Sequence, residues 1–116
     1  MNKTILVTGG NGRFAKILKK KNFYLDLKFL NKKQLNILNL KSIEKNIIKY
    51  KPRMILHTAG LSRPMAQHEE NISKSIDLNI IGTANLVKIC KKYAVKIIFF
   101  STNYVYKCTK GNYRET

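Results

Sequence analysis

The sequence predicts an α/β fold in which a parallel sheet carries helices on both faces. Two observations predict it. Short β-branched or aromatic runs alternate with stretches of helical periodicity in the order β-α-β-α-β-α-β. The first strand also runs straight into a turn holding Gly9, Gly10 and Gly12, with a helix behind it. Strands separated by helices pair in parallel through right-handed crossovers, which gives a doubly wound sheet, here an incomplete one.

Lys3 to Val7 is a short β-branched run with the composition of a buried strand, and Arg13 to Lys20 reads as the helix after the turn. Phe23 to Leu30 alternates and is rich in aromatics, which predicts a second strand, closed by the polar turn Asn31-Lys32-Lys33-Gln34. Leu35 to Asn39 leads into a helix from about Ser42 to Tyr50. Ser42 is its candidate cap, and Ile43, Ile47 and Ile48 form its buried face. Lys51-Pro52 stops that helix. Met54 to His57 is the third, central strand, ending at Thr58-Ala59-Gly60, and the polar loop Leu61–Asn71 follows. The longest helix is expected over Ile72–Tyr93, with Ile72, Ile76, Ile80, Ala84 and Val87 on one face. Val95 to Ser101 reads as a fourth strand, continuous enough to be buried on both faces. Thr102 to Thr116 is polar and turn-rich.

A chain of 116 residues is one domain, able to bury roughly two thirds of its surface. Its formal charge of +17 would ordinarily suggest a polyanionic partner. Only four of the 23 basic residues are Arg, however, and the lysines are scattered among Asn and Ile. That distribution is a solvated basic surface rather than an Arg-and-aromatic patch, so no nucleic-acid partner is expected. Cys90 and Cys108 have no C-x-x-C spacing, so neither a metal site nor a disulfide framework is indicated, and a reducing cytoplasmic location fits. Ile5-Leu6-Val7 is too short an apolar core for a signal peptide. No stretch approaches the ~18 apolar residues of a membrane span.

The glycine turn is where chemistry is expected. Glycines let a backbone turn tightly and let phosphate oxygens approach the amides, and a helix N-terminus adds positive potential. The spacing Gly9, Gly12, Ala15 is G-x-x-G-x-x-A, which differs from both the G-x-G-x-x-G fingerprint and the Walker A loop. Ligands of such sheets sit beyond the carboxyl ends of the strands. Four stretches therefore surround one crevice: Gly9–Ala15, Asn31–Lys33, Thr58–Leu61 and Ser101–Asn103.

Taken together, Thr8–Ala15 (TGGNGRFA), Ile55–Gly60 (ILHTAG), Asp77–Leu86 (DLNIIGTANL), Phe100–Tyr106 (FSTNYVY) and Gly111–Thr116 (GNYRET) resemble the N-terminal half of extended short-chain dehydrogenases/reductases. Within that group the chain is most similar to the dTDP-4-dehydrorhamnose reductase branch. The resemblance implies a Rossmann-like domain over residues 1–116 that binds NAD(P), as the N-terminal part of a longer enzyme acting on a nucleotide sugar. It implies cofactor contacts from Thr8, Gly9, Gly10, Asn11, Gly12, Arg13, Phe14, Ala59, Gly60 and Leu61, with Ala15 replacing the usual third glycine. It also implies that Thr102 hydrogen-bonds the reacting sugar oxygen and that Asn79 shapes the proton relay.

Cofactor choice rests on the end of the second strand. An acid there would bind the 2′-hydroxyl of NAD, whereas a base accommodates the 2′-phosphate of NADP. Lys32 and Lys33 occupy that turn, Arg13 stands beside the glycine loop, and Asp26 comes too early, so NADP is expected, with NAD the alternative. Asn36 stands where relatives often carry an Asp near the adenine. The family's proton donor, a Tyr with a Lys four residues later, is expected beyond Thr116. Tyr24/Lys28 and Tyr106/Lys110 match the pattern by spacing alone. On a strand, Tyr24 and Lys28 would stand about 13 Å apart.

The function expected is thus the cofactor-binding part of a reductase that transfers hydride from NADPH to a 4-keto sugar nucleotide, in polysaccharide or cell-envelope sugar synthesis. An NAD-dependent sugar-nucleotide epimerase or dehydratase fragment, or a non-catalytic NAD(P)-binding module, are the alternatives. A half sheet also leaves an uncovered edge that invites association, and a homodimer stays open.

Overall fold

The computed structural model describes residues 3–22, 24–60, 66–100 and 111. Among these, β1 (Ile5–Thr8), β2 (Leu27–Leu30), β3 (Met54–His57) and β4 (Lys96–Phe99) form one sheet in the order β2-β1-β3-β4. Every pairing is parallel, with Ile5 level with both Leu27 and Met54. The crossovers are α1 (Arg13–Lys21), α2 (Leu40–Tyr50) and a compound segment between β3 and β4. That segment runs through α3 (Ala66–Glu70), α4 (Ile72–Ile76), a π-helical turn (Asp77–Ile81) and α5 (Gly82–Lys92). This is the incomplete Rossmann-like sheet that the alternation of periods predicts.

The main core lies between the sheet and the α2–α5 layer. Leu6, Leu30 and Ile55 from the strands meet Ile43 and Ile47 of α2, and Leu86, Ile89 and Cys90 of α5. Ile5 and Val7 point the other way by the two-residue alternation of a strand, toward the face on which a right-handed crossover puts α1. Both are buried, as is Ala15 of α1, so the sheet is covered on both faces around β1. Lysines finish the helices: Lys19, Lys20 and Lys21 end α1, and Lys91 and Lys92 end α5. There their charge complements the negative end of the helix dipole. Lys92 also pairs with Glu44 of α2 at 2.6 Å. Bonds from Lys92 and Tyr93 hold that carboxyl below the usual carboxylate range.

Several expectations need correction. The second strand starts at Leu27 rather than Phe23, because Asn22 bonds both backbone groups of Leu25 and turns the chain there. Asp26 precedes the strand and accepts a hydrogen bond from Thr4, at the end of the sheet away from the crevice. α2 is capped by Asn39, whose side chain accepts from the Ser42 amide, so Ser42 is not the cap. On α2, Asn46 is buried and Ile48 is exposed; the Asn46 amide donates to the Gln34 and Ser42 carbonyls. Lys51, left-handed at φ 45°, and Pro52 do end α2.

The long helix is corrected most. Ile72, Ile76, Ile80, Ala84 and Val87 are exposed to the described structure, while Gly82, Leu86, Ile89 and Cys90 are its buried face. The π-turn also breaks the single phase that the sequence reading assumed. β4, expected to be covered on both faces, is the edge of the described sheet, with Ile98 and Phe99 exposed. Phe23, Ser101 and the turn-rich stretch from Thr102 lie outside the described residues, Gly111 excepted.

Candidate functional site

Strand order reverses between β1 and β3, the topological switch point of this sheet. The carboxyl ends are level there: Thr8 pairs with Leu30 on one side and His57 on the other, and His57 with Phe99. The sequence-predicted stretches Gly9–Ala15, Asn31–Lys33 and Thr58–Gly60 all leave the sheet from this row.

The glycine turn is shaped by close main-chain contacts, tightest at Gly9 and Gly10. Gly9 sits at φ +65°, and a Cβ there would lie 2.8 Å from the Ala59 Cα and 2.9 Å from its nitrogen. Gly10 donates to the Leu30 carbonyl at 2.8 Å, which ties the turn to β2, and Gly12 donates to Gly9 at 2.8 Å. Gly12 then caps α1 without any side-chain bond, and the first turn of α1 holds no acid. The free amides and positive end of α1 therefore open into the crevice mouth, an arrangement suited to an anion. Asn11 and Arg13 are exposed around this mouth. Phe14 reaches the ring of Phe100 past the end of β4, with centroids 4.9 Å apart.

Thr8, the last residue of β1, is a hub. Its buried hydroxyl oxygen accepts from the amides of Thr58 and Ala59, each at 3.1 Å, and the Thr58 hydroxyl donates to the Thr8 carbonyl. Thr8 thus aligns the Ala59-Gly60 backbone beside the glycine turn. Beneath it lies His57, with Nδ1 at 2.9 Å from the Thr8 hydroxyl and Nε2 at 2.8 Å from that of Thr83. Burial lowers the His57 pKa to about 4, so the ring is neutral at physiological pH. The sequence reading counted this residue only as the end of a strand.

That depressed pKa has a measurable consequence. In the unfolded chain the ring takes up a proton as pH falls through about 6.5; in the folded protein it does so only near 4. The His57 contribution to stability is therefore flat above the first value. It should decline by on the order of 2 kcal/mol between the two as pH falls. Urea midpoints compared between the native chain and His57→Gln across that window would isolate it; parallel curves would refute it.

At the β2 end, Asn31 folds an Asx turn, accepting from the Lys33 and Gln34 amides at 3.0 Å. Lys32 projects into an open groove of about 400 Å³ lined also by Leu38, Asn71, Ser73, Lys74, Asp77 and Leu78. Lys33 is exposed and lies outside this lining. Lys74 is a second cation in the groove, contributed by α4; the sequence does not show it because Lys74 lies 42 positions after Lys32.

Asn79 stands in the π-turn, against Gly60: a Cβ on Gly60 would lie 2.8 Å from the Asn79 Oδ1. Its Nδ2 donates to Ser75 Oγ at 3.4 Å, and Ser75 Oγ lies 2.6 Å from His68 Nδ1. The structure thus brings Thr8 to Phe14, Lys32, Ala59, Gly60 and Asn79 to one end of the sheet. Leu61 and Thr102 lie outside the described residues, as do Tyr106 and Lys110. Tyr24 is almost fully exposed ahead of β2, which leaves Tyr24/Lys28 without a site. Among the described residues no group of three His, Cys, Asp or Glu could hold a metal ion, and no helix is long and apolar enough to cross a membrane.

Comparison with known proteins agrees with this geometry. The family described as "RmlD substrate binding domain" matches residues 2–116. The chain belongs to that family. It is 28% identical to the dTDP-4-dehydrorhamnose reductase of Aggregatibacter actinomycetemcomitans, over 97% of this chain and 39% of that protein. It is 31% identical to methionine adenosyltransferase 2 subunit beta of Xenopus laevis, over 70% of this chain and 24% of that one. The crystal structure of dTDP-4-dehydrorhamnose reductase from Bacillus anthracis in complex with NADP superposes with a TM-score of 0.85 at 25% identity. That match covers 95% of this chain and 40% of the other. The chain therefore spans between about a quarter and two fifths of the length of these relatives.

Proposed function

We propose that residues 1–116 are the NADP-binding domain of a nucleotide-sugar reductase resembling dTDP-4-dehydrorhamnose reductase, in polysaccharide or cell-envelope sugar synthesis. The observation that carries the reading is the turn from Gly9 to Gly12, pressed against Ala59 at the switch point and opening the uncapped N-terminus of α1. Backbone amides and helix dipole there match a pyrophosphate. Thr8 holds Ala59 and Gly60 at the ribose, and Asn11, Arg13 and Phe14 rim the mouth. Lys32 serves the 2′-phosphate with Lys74 in the lining of the same groove, and Lys33 adds only general positive potential. Leu61, next in sequence after Gly60, is assigned to the same cofactor contact by the family resemblance. The NADP complex of the Bacillus anthracis reductase supports this choice of cofactor.

When bound, NADPH supplies the hydride; the protein's own groups orient and protonate. Thr102 is assigned to hydrogen-bond the sugar oxygen and Asn79 to order the relay beside it. The domain is then the N-terminal part of a longer cytoplasmic enzyme, whose remainder would supply the proton-donating Tyr/Lys pair and the sugar-binding region.

Fluorescence titration with NADPH and NADH tests the proposal. Lys32→Glu and Lys74→Glu should each weaken NADPH roughly tenfold, the worth of a charge-assisted phosphate contact, and leave NADH within about twofold. Lys33→Glu should change both little. Equal losses for the two cofactors would overturn the 2′-phosphate assignment, and binding of neither by the native chain would overturn the function.

A further inference from the structure

We infer that His57 is a positioning residue whose neutral Nε2–H tautomer fastens the π-turn bearing Asn79 to the strand end bearing the glycine turn. The inference rests on the cofactor-site reading only for the meaning of what is positioned; the tautomer follows from hydrogen-bond geometry. The Thr8 hydroxyl oxygen already accepts from two amides, Thr58 and Ala59. A hydroxyl has two lone pairs and one proton, so Thr8 has only its proton left to offer. The partner for that proton is His57 Nδ1 at 2.9 Å, which must then be the bare, accepting nitrogen. The ring proton sits on Nε2 and is donated to Thr83 Oγ1 at 2.8 Å. Thr83 passes its own proton on to the main-chain carbonyl of Asn79 at 3.1 Å.

Each link fixes the direction of the next. In the opposite tautomer, Nδ1–H would face an oxygen with no lone pair free. Thr83 would then have to donate to Nε2, and the carbonyl of Asn79 would lose its hydroxyl partner. A doubly protonated ring fails on the Thr8 side as well. A neutral imidazole accepts at one ring nitrogen and donates at the other, which is what this run of hydrogen bonds requires. The ring is further held by Phe99, 5.8 Å away between centroids.

The π-turn is what needs fastening. Its Asp77 carbonyl accepts from the Gly82 amide, a five-residue closure that widens the helix. Gly82 is pressed onto Ile37, where a Cβ would fall 2.5 Å from Cδ1, so the turn is anchored on its C-terminal side by packing. On the side that faces the crevice, the Thr83–Asn79 bond relayed from His57 sets how Asn79 meets Gly60. His57 touches neither cofactor mouth nor Asn79 side chain, and acts through Thr83.

The test uses the whole 116-residue chain and needs no His57 variant, which would change stability and positioning together. Nitrogen-15 spectra of the cofactor-free protein should show His57 protonated at Nε2 and bare at Nδ1 at neutral pH; an Nδ1–H ring or an imidazolium would overturn the inference. Thr83→Val keeps the shape and removes the link, whereas Thr83→Ser keeps the hydroxyl. Hydrogen exchange of the π-turn amides should quicken about fivefold in Thr83→Val and return toward native rates in Thr83→Ser, the size of one lost hydrogen bond. Addition of NADPH should shift the Asn79 side-chain amide signal in the native and Ser proteins and leave it nearly still in the Val protein. Equal exchange and equal response in all three would overturn the positioning role. A native chain that binds no NADPH would defeat the cofactor reading alone, because the tautomer and exchange measurements are made without it.

Discussion

Replacing Gly9 by Ala is expected to abolish NADPH binding and to lower the thermal midpoint by about 10 °C or more. Two costs combine. At φ +65° an L side chain is strained, by roughly 1–2 kcal/mol. The new methyl would also stand 2.8 Å from the Cα of Ala59 and 2.9 Å from its nitrogen, main-chain atoms that cannot swing aside. Relief requires the β1 and β3 ends to part, which breaks the bonds from Ala59 and Thr58 to Thr8 and dissolves the anion-facing turn. Two further substitutions separate fold from function. Gly12→Ala meets only the Gly9 carbonyl, at 3.1 Å, so it should cost little stability while its methyl narrows the turn and weakens NADPH. Gly111→Ala meets nothing within 4 Å among the described residues and should change neither. Calorimetry with cofactor titration on the three variants checks the order, and a Gly9→Ala protein with native affinity would remove the glycine turn from the site.

This turn was legible in the sequence because its constraint is local: strand, glycines and helix lie within the seventeen residues Ile5–Lys21, and at Gly9 the left-handed backbone favours glycine. The order of elements was legible for a similar reason, since the hydrophobic period changes between strand and helix. Features set by distant partners were not. His57 closes an apolar run and carries no mark of its role, for its partners Thr8 and Thr83 lie 49 and 26 residues away. Lys74 was one lysine among many until the fold placed it in the lining of the Lys32 groove. β4 shows the converse: its apolar run was right for a strand, but composition does not say which faces receive a neighbour, and in the described sheet it is an edge.

The crossover helix turns that distinction into the second large prediction. Leu86→Ala should cost about 3 kcal/mol, the loss of a fully buried leucine and the cavity it leaves. Ile80→Ala and Val87→Ala should each stay within about 0.5 kcal/mol. From periodicity alone the expectation runs the other way, because Ile72, Ile76, Ile80, Ala84 and Val87 form a regular stripe. The residues Gly82, Leu86, Ile89 and Cys90 form a second stripe of the same period, and a sequence with two apolar faces does not announce which one meets the sheet. Packing decides it. Gly82 lets α5 settle onto Ile37, and the Asn85 side chain donates to the Ile37 carbonyl at 2.9 Å. Leu86 then falls into the cluster of Leu6, Ile43 and Ile55. The π-turn lets Asn79 face Gly60 while α5 keeps this phase. Urea unfolding of the three variants measures the phase directly. A loss at Ile80 or Val87 as large as that at Leu86 would mean that the helix buries its other face, and the placement of Asn79 would fall with it.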